Sequence, residues 1–310
     1  EYAENLNGNA IKDQRMVANK ACFACTIACG RVTHLPGGTA DKFLVNMHPR
    51  NWKIAGEGPE YEAAWALGAD TGVGDLDAVI KANWLCNDLG LDTIEVGAAL
   101  GVAAEAGLAR FGDKGSFLAL MREIAQGSVL GKVLGQGAAV TGRVLGVARV
   151  PVCKGQAMPA YDPRALKGNG VTYATSPQGA DHTAGNAFGA RAEVHPLAVE
   201  GQRQVSLKLQ LMAAMLDSTG LCLFSRPPVV ADPKLAVALI NGRYGWGWQV
   251  EDLDRFNRQV LRDELEFNRR AGFTAADDRV PEYMCHEPLP PHNTVFDIPD
   301  SEMDGVFSAL

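Results

Sequence analysis

The chain has 310 residues, 47 % of them hydrophobic, which is enough to bury a full core and long enough for two domains. A formal charge of −7 and the lack of any basic block argue against a nucleic acid or an anionic membrane as partner. No apolar run reaches the length of a membrane span and the first residues do not resemble a signal peptide, so a cytoplasmic protein without membrane insertion is expected.

The seven cysteines, odd in number with three close together, indicate metal binding in a reducing compartment rather than disulfides. The sequence begins at Glu1 and stops abruptly at Ser308-Ala309-Leu310, as a fragment of a longer protein would.

The first twenty residues are polar and mixed, a poor candidate for core. Cys22, Cys25 and Cys29 follow in Cys-Phe-Ala-Cys-Thr-Ile-Ala-Cys-Gly, an order of C-x2-C-x3-C. Thiolates this close repel one another unless a cation or cluster neutralises them, so the trio reads as a ligand set. Three sulfurs from one short stretch suit one face of a [4Fe–4S] cubane, which then needs a fourth thiolate from elsewhere. A structural zinc site, or cysteines buried without a ligand, are the plainer alternatives.

Residues 31–59, rich in Gly, Pro and His, read mostly as loop. Gly56-Glu57-Gly58-Pro59-Glu60-Tyr61-Glu62 then opens a helix, with proline and carboxylates where a helix N-terminus favours them. Residues 75–90 follow a helical pattern with Asp75 as N-cap and Gly90 as stop. Asp92 caps the next helix, which runs to Gly107, and Ser116 starts another that ends at Gly127. This repeated order of cap, helix and glycine predicts a mainly α fold.

The pattern breaks at Val150-Pro151, where a domain boundary is expected between 1–150 and 151–310. Residues 151–190 read as an ordered functional loop carrying Pro159-Ala160-Tyr161-Asp162-Pro163-Arg164 and Ser176-Pro177-Gln178-Gly179-Ala180-Asp181-His182. Helices resume near 199–216, at 233–241 with Gly242 as stop, and at 251–271. The proline-rich close of the chain is expected to wrap rather than pack.

Two short segments resemble each other. Asn87-Asp88-Leu89-Gly90-Leu91-Asp92 and Asp217-Ser218-Thr219-Gly220-Leu221-Cys222 each follow a predicted helix. Glycine permits the left-handed turn that ends a helix and lets a ligand approach the backbone, and a carboxylate beside it can accept from a heterocyclic amine. One copy alone would be an ordinary helix end. Two copies, one ending in cysteine, suggest equivalent half-sites, with Cys222 the natural fourth cluster thiolate.

With the cysteine trio, Gly-Pro-Glu-Tyr-Glu, the paired motifs and the Pro-Ala-Tyr-Asp-Pro-Arg loop, the chain resembles the two helical C-terminal domains of the tungsten-containing aldehyde:ferredoxin oxidoreductase family. That resemblance implies one [4Fe–4S] cluster on Cys22, Cys25, Cys29 and Cys222. It implies a tungsten (or molybdenum) bis-molybdopterin bound through Asn87, Gly90, Leu91, Asp92, Asp217, Gly220 and Leu221. Asn87 departs from the family pattern, which has Asp there. An amide still accepts through its oxygen but lacks the charge.

The family's β-rich N-terminal domain is absent from this chain. For acid–base chemistry the resemblance points to Glu62, with Glu60 the alternative, and to His182; read without it, Glu62 is a first-turn carboxylate and His182 a loop histidine. His34, His48, His195, His286 and His292, and Cys86, Cys153 and Cys285, take structural readings. Asp162 and Arg164 either fix their loop by an ion pair or touch the pterin.

The implied activity is oxidation of a small-molecule aldehyde to a carboxylic acid, with electrons leaving through the cluster to ferredoxin or an iron–sulfur partner subunit, in an oligomer. A benzoyl-CoA reductase-type catalytic subunit, a non-catalytic iron–sulfur electron-transfer module and a zinc-stapled helical domain are the rivals.

Overall fold

The cysteine trio lies in the turn of a small antiparallel sheet. In a computed structural model, which describes residues 3–35 and 55–310, β1 (Met16–Lys20), β2 (Gly30–His34) and β3 (Ala55–Glu57) pair in that order. Within the stretch 31–59, residues 31–34 and 55–57 are strands, and 36–54 lie outside the described residues. Glycine allows both strands to pack flat. A Cβ on Gly30 would meet the Lys20 carbonyl at 2.8 Å, and one on Gly56 would meet the buried Trp84 ring at 2.7 Å. His48 lies outside the described residues.

The opening residues also differ from expectation. Helices Ala3–Leu6 and Gly8–Gln14 seat Leu6 and Ile11 in the core, so two apolar side chains anchor an otherwise polar segment.

The chain divides into two compact units, Glu1–Pro151 with Gly155–Ala160, and Val152–Lys154 with Tyr161–Leu310. In the first unit, α1 (Tyr61–Ala64) runs into a π-helical stretch, Trp65–Ala69. A Cβ on Gly97 would meet the Ala66 carbonyl at 2.4 Å, so a glycine is needed where the next helices cross this stretch. Asp75 caps α2 (Leu76–Leu89), its carboxylate accepting from the Ala78 N–H, and Asp92 caps α3 (Thr93–Glu105) by accepting from Glu95 N–H.

The following helix, Lys114–Gln126, starts before Ser116, because Asp113 takes the cap and Ser116 turns its hydroxyl back to the Asp113 carbonyl. Ile80, Leu85, Leu100, Met121 and Leu134 fill the core between these helices, each side chain favouring the fold by about 1.5–3 kcal/mol.

The second unit corrects the reading of 151–190 as loop. Its centre is α4 (Lys167–Thr175), every residue of which is buried. Thr172 hydrogen-bonds Ser206 at 2.8 Å, and Gln210 donates to Thr175 and Ser206, so two threonines of this helix are satisfied from α5 (Gln202–Thr219). Its glycines are spacers: a Cβ on Gly170 would meet the Phe296 ring at 2.4 Å.

The C-terminal stretch therefore packs as well as wraps, with Phe296, Ile298, Met303 and Val306 buried. The expected helix at 233–241 extends as α6 (Lys234–Tyr244), and its left-handed stop is Gly245, not Gly242. The long amphipathic α7 (Val250–Ala271) closes the unit. Among the described residues no single helix is long and apolar enough to cross a membrane.

Candidate active site

Residues 21–29 connect β1 to β2, so Cys22, Cys25 and Cys29 share one hairpin loop. Ala24 and Ala28, each directly before a cysteine, take left-handed backbone angles (φ 56° and 50°), which cost an alanine stability. The Cys25 N–H closes a turn onto the Cys22 carbonyl at 3.0 Å. Backbone hydrogen bonds from Ala28, and then Ile27, hold the Cys25 thiol below its ordinary pKa, as donors aimed at a thiolate do. Cys22 and Cys29 are exposed and Cys25 is half-buried, as is usual for a reactive set. Among the described residues no three His, Cys, Asp or Glu side chains converge in a metal-holding arrangement. The hairpin gathers the trio along one loop without closing it.

The other cysteines differ. Burial pushes Cys86 and Cys153 up to about 12, so they are inert thiols, whereas Cys222 is exposed.

Glu60 sits at the N-cap of α1 without capping it, exposed and 3.5 Å from Arg31. Glu62, in the first turn and half-buried, accepts the Ala160 backbone N–H at 2.9 Å and so holds the Pro-Ala-Tyr loop by a charge-assisted bond. Of the two readings left open for them, Asp162 and Arg164 form an ion pair, with two bonds at 3.0 and 2.7 Å, and Arg164 also donates to the Glu287 carbonyl.

The two similar motifs adopt one backbone. Gly90 has φ 67° and ψ 34°, and Gly220 has φ 69° and ψ 18°. In each, the glycine N–H bonds the carbonyl of the motif's first residue (Asn87 or Asp217). The following leucine N–H bonds the residue before it at 2.9 Å. This is the double bond of a glycine-terminated helix. Open space faces both glycines: apart from their chain neighbours, no described atom lies within 4 Å of where a Cβ would stand.

In the second unit, Asp217 and Ser218 line an open cleft of about 540 Å³ with Ser176, Gln178, Gln210 and Glu264. Partial desolvation, and then the Asp181 carboxylate, raise the Asp217 pKa. Desolvation, and then Asp217, raise that of Glu264. Gln210 is 2 % exposed and its amide oxygen has no partner among the described residues. Among the described residues no lysine, arginine or histidine lines this cleft. It presents acceptors to a ligand bearing N–H groups, the donor pattern of an aminopterin edge, and so the residues present fit such a group. Gln210 and Glu264 were not legible in the sequence, since neither belongs to a motif; their signal is position on helices packed beside Asp217.

His182 lies in the same unit, on a loop pinned at Gly179, where a Cβ would meet the Cys153 carbonyl at 2.6 Å. Its Nδ1 is 3.5 Å from Asp181 and its ring is 5.7 Å from that of Tyr161. His195 is used locally, accepting from Leu197 N–H.

A family model described as aldehyde ferredoxin oxidoreductase, domains 2 and 3, matches residues 1–305. The tungsten-containing aldehyde ferredoxin oxidoreductase of Pyrococcus furiosus is 32 % identical over 313 residues, covering 93 % of this chain and 49 % of its own. That of Pyrococcus abyssi is 32 % identical over 317 residues, covering 94 % and 49 %. A chain of the active-site complex BamBC of benzoyl coenzyme A reductase with 1,5-dienoyl-CoA matches in fold, with a TM-score of 0.71 and 15 % identity over 96 % of this chain and 50 % of that one. The chain thus spans about half the length of the curated relatives it matches. It is an oxidoreductase-family chain of mainly helical fold, and it belongs to the aldehyde ferredoxin oxidoreductase family, in the part that comprises domains 2 and 3.

Proposed function

We propose that this chain supplies the helical part of a tungsten bis-pterin oxidoreductase that converts aldehydes to carboxylic acids. The observation that carries the reading is the pair of glycine turns with one backbone geometry, one of them at the rim of an acceptor-lined cleft. In the reaction, water supplies the oxygen, and two electrons and two protons leave. The bound metal and the [4Fe–4S] cluster would supply the two-electron and one-electron redox chemistry.

In this reading the protein binds and orients. Asn87 and Asp217 accept from the pterin amines, and Gly90 and Gly220, with Leu91 and Leu221, let the heterocycles reach the backbone. Cys22, Cys25, Cys29 and Cys222 hold the cluster, and the Ile27 and Ala28 N–H groups stabilise the Cys25 thiolate. Glu62 holds a proton at its carboxylate, and His182, fixed by the Gly179 turn, orients the substrate carbonyl. Ferredoxin or an iron–sulfur subunit takes the electrons.

Anaerobically purified full-length protein tests this. Tungsten, iron and acid-labile sulfide should be found together, with aldehyde-dependent reduction of viologen. Cys222→Ser should alter the cluster's EPR signal and lower the iron content, whereas Cys86→Ser should not. Iron without tungsten or molybdenum points to an electron-transfer module, and zinc without sulfide to a stapled helical domain. Dearomatisation of an aryl thioester without aldehyde turnover would assign the chain to the benzoyl-CoA reductase type.

A further inference from the structure

The loop that carries His182 rests on a lysine that the proposed chemistry leaves without a role. Lys154 stands at a left-handed backbone position (φ 50°), which costs any residue with a Cβ. Its side chain is 4 % exposed, and its ammonium pairs with the Asp278 carboxylate at 2.5 Å. The same ammonium donates to the Ala174 carbonyl, in the last turn of α4. A helix cannot satisfy its last carbonyls itself, and a cation there complements the helix dipole. Cys153, one residue earlier, donates its S–H to the Arg279 carbonyl at 3.3 Å, so residues 153–154 are fastened to the 278–279 segment.

From α4 the chain runs directly into the loop. The Ser176 N–H bonds the Thr172 carbonyl at 2.8 Å, the Gly179 N–H the Ser176 carbonyl at 3.0 Å, and the Asp181 N–H the Gly179 carbonyl at 2.9 Å. Gly179 closes onto the lysine as well as onto Cys153, since a Cβ there would stand 3.2 Å from the Lys154 Cβ. Lys154 therefore meets this path twice: its ammonium where α4 ends, and its Cβ beside Gly179, three residues before His182. From another side Asn268 of α7 donates to the Pro177 carbonyl at 2.5 Å.

Packing alone does not ask for this residue. A buried ammonium costs more to desolvate than an apolar side chain of the same length. What a lysine adds is a bond of fixed direction at the helix end that feeds the His182 loop.

We propose that Lys154 is a positioning residue: braced by Asp278, it fixes the end of α4 and the turn at Gly179, and so holds the His182 ring in the orientation the reaction uses. Its consequence for turnover rests on the reading of His182 as the group that orients the substrate carbonyl; the brace itself does not.

The test uses anaerobically purified full-length holoprotein with acetaldehyde as substrate and viologen as acceptor. Lys154→Met removes the ammonium at nearly constant length. Its kcat should fall at least about tenfold, with KM within about twofold of wild type, the pattern of an interaction made in the transition state. Tungsten and iron contents should not change. Two readouts do not depend on turnover. Diethyl pyrocarbonate followed by mass spectrometry should modify His182 at least about threefold faster than in the wild type, and hydrogen exchange should rise across 174–182 but not across 93–105. In a His182→Gln background the same change should cost less than about twofold more. Lys154→Arg should stay nearer to wild type than Lys154→Met on every readout.

Unchanged labelling and exchange in Lys154→Met overturns the proposal, whatever the activity. So does loss of tungsten or iron from that variant, which would make the lysine a packing residue. A further loss of about tenfold in the His182→Gln background also overturns it, because the lysine would then act elsewhere. Where Lys154→Met does not fold, Asp278→Asn takes its place: it keeps the bond to Ala174, removes the charged brace and should speed the labelling of His182, and no change there overturns the proposal. Wild-type turnover by His182→Gln, with the ring freed in Lys154→Met, would keep the brace and overturn the reading of His182 instead.

Discussion

Replacing Glu62 by alanine and by glutamine separates a tether from a base. The carboxylate accepts the Ala160 N–H at 2.9 Å across 98 residues of sequence, and its side chain is half-buried. Alanine removes the acceptor and leaves the amide donor without that partner. Losing a bond to a charged group, or stranding a donor away from water, costs about 1–3 kcal/mol. For a unit of this size each kcal/mol lowers Tm by about 2–4 °C, so Glu62→Ala should melt about 2–12 °C lower in a scanning fluorescence or circular-dichroism experiment. Glutamine keeps an oxygen in the same place and should retain most of the tether, so Glu62→Gln should melt close to wild type. It cannot take a proton at that oxygen, however, and should lose aldehyde turnover while tungsten and iron are retained. Equal melting of Glu62→Ala and wild type would refute the tether. Normal turnover by Glu62→Gln would refute the base and move attention to Glu60, whose 3.5 Å contact with Arg31 is its only described ion pair.

Alkylation gives an independent reading of the thiols. With cofactor removed, iodoacetamide followed by mass spectrometry should modify Cys25 fastest, since backbone donors lower its pKa, while Cys86 and Cys153, pushed up to about 12 by burial, should stay unmodified until the protein unfolds. In anaerobic holoprotein Cys22, Cys25, Cys29 and Cys222 should all be protected; labelling of Cys222 alone would remove it from the ligand set.

The cleft carboxylates set a pH dependence. The Glu264 pKa is raised in the fold by desolvation and by Asp217, so the folded state binds more protons than the unfolded and its stability falls as pH rises through the raised value. Glu264→Gln should therefore raise Tm at neutral pH, and the gain should shrink as pH falls toward 4.5, the ordinary value for glutamate. A gain independent of pH would contradict this.

What could be read directly from the residues follows the physics of each signal. Asp75, Asp92, Gly90, Gly127 and Gly220 mark helix ends by local chemistry, a side chain reaching an amide or a backbone that only glycine adopts cheaply, and local chemistry is written in neighbouring residues. Helix α4 was hidden because its signal is not local. Lys-Gly-Asn-Gly-Val-Thr-Tyr-Ala-Thr has two glycines and two threonines, poor helix formers, and burial on all sides erases the apolar period that marks a surface helix. Its helix is held by partners far along the chain, among them Asn169 to Ala187 N–H and Thr172 to Ser206. The sheet around the cysteines was missed for a related reason. Gly56 reads as a breaker until the Trp84 ring that excludes any side chain there is in view.

The two glycine turns show how one backbone device can serve two ends. Up to the leucine they are the same, but the sixth residue meets different chain. Asp92 opens a thirteen-residue helix and its carboxylate is engaged as the cap, accepting Glu95 N–H at 2.8 Å. Cys222 opens only the short turn Leu223–Ser225, where no side chain caps and the Cys222 carbonyl, not its sulfur, takes the bonds from Ser225. The thiol is thereby left exposed and uncommitted. Exchanging the residues should show the difference. In protein stripped of iron, Cys222→Asp should cap the short turn and leave Tm close to wild type, and in loaded protein it should remove a sulfur donor and lower the iron content. Asp92→Cys should lose a cap, at about 0.5–2 kcal/mol, and gain no iron. Equal loss of stability in the two variants would mean that the turns are interchangeable caps and that Cys222 owes its position to folding alone.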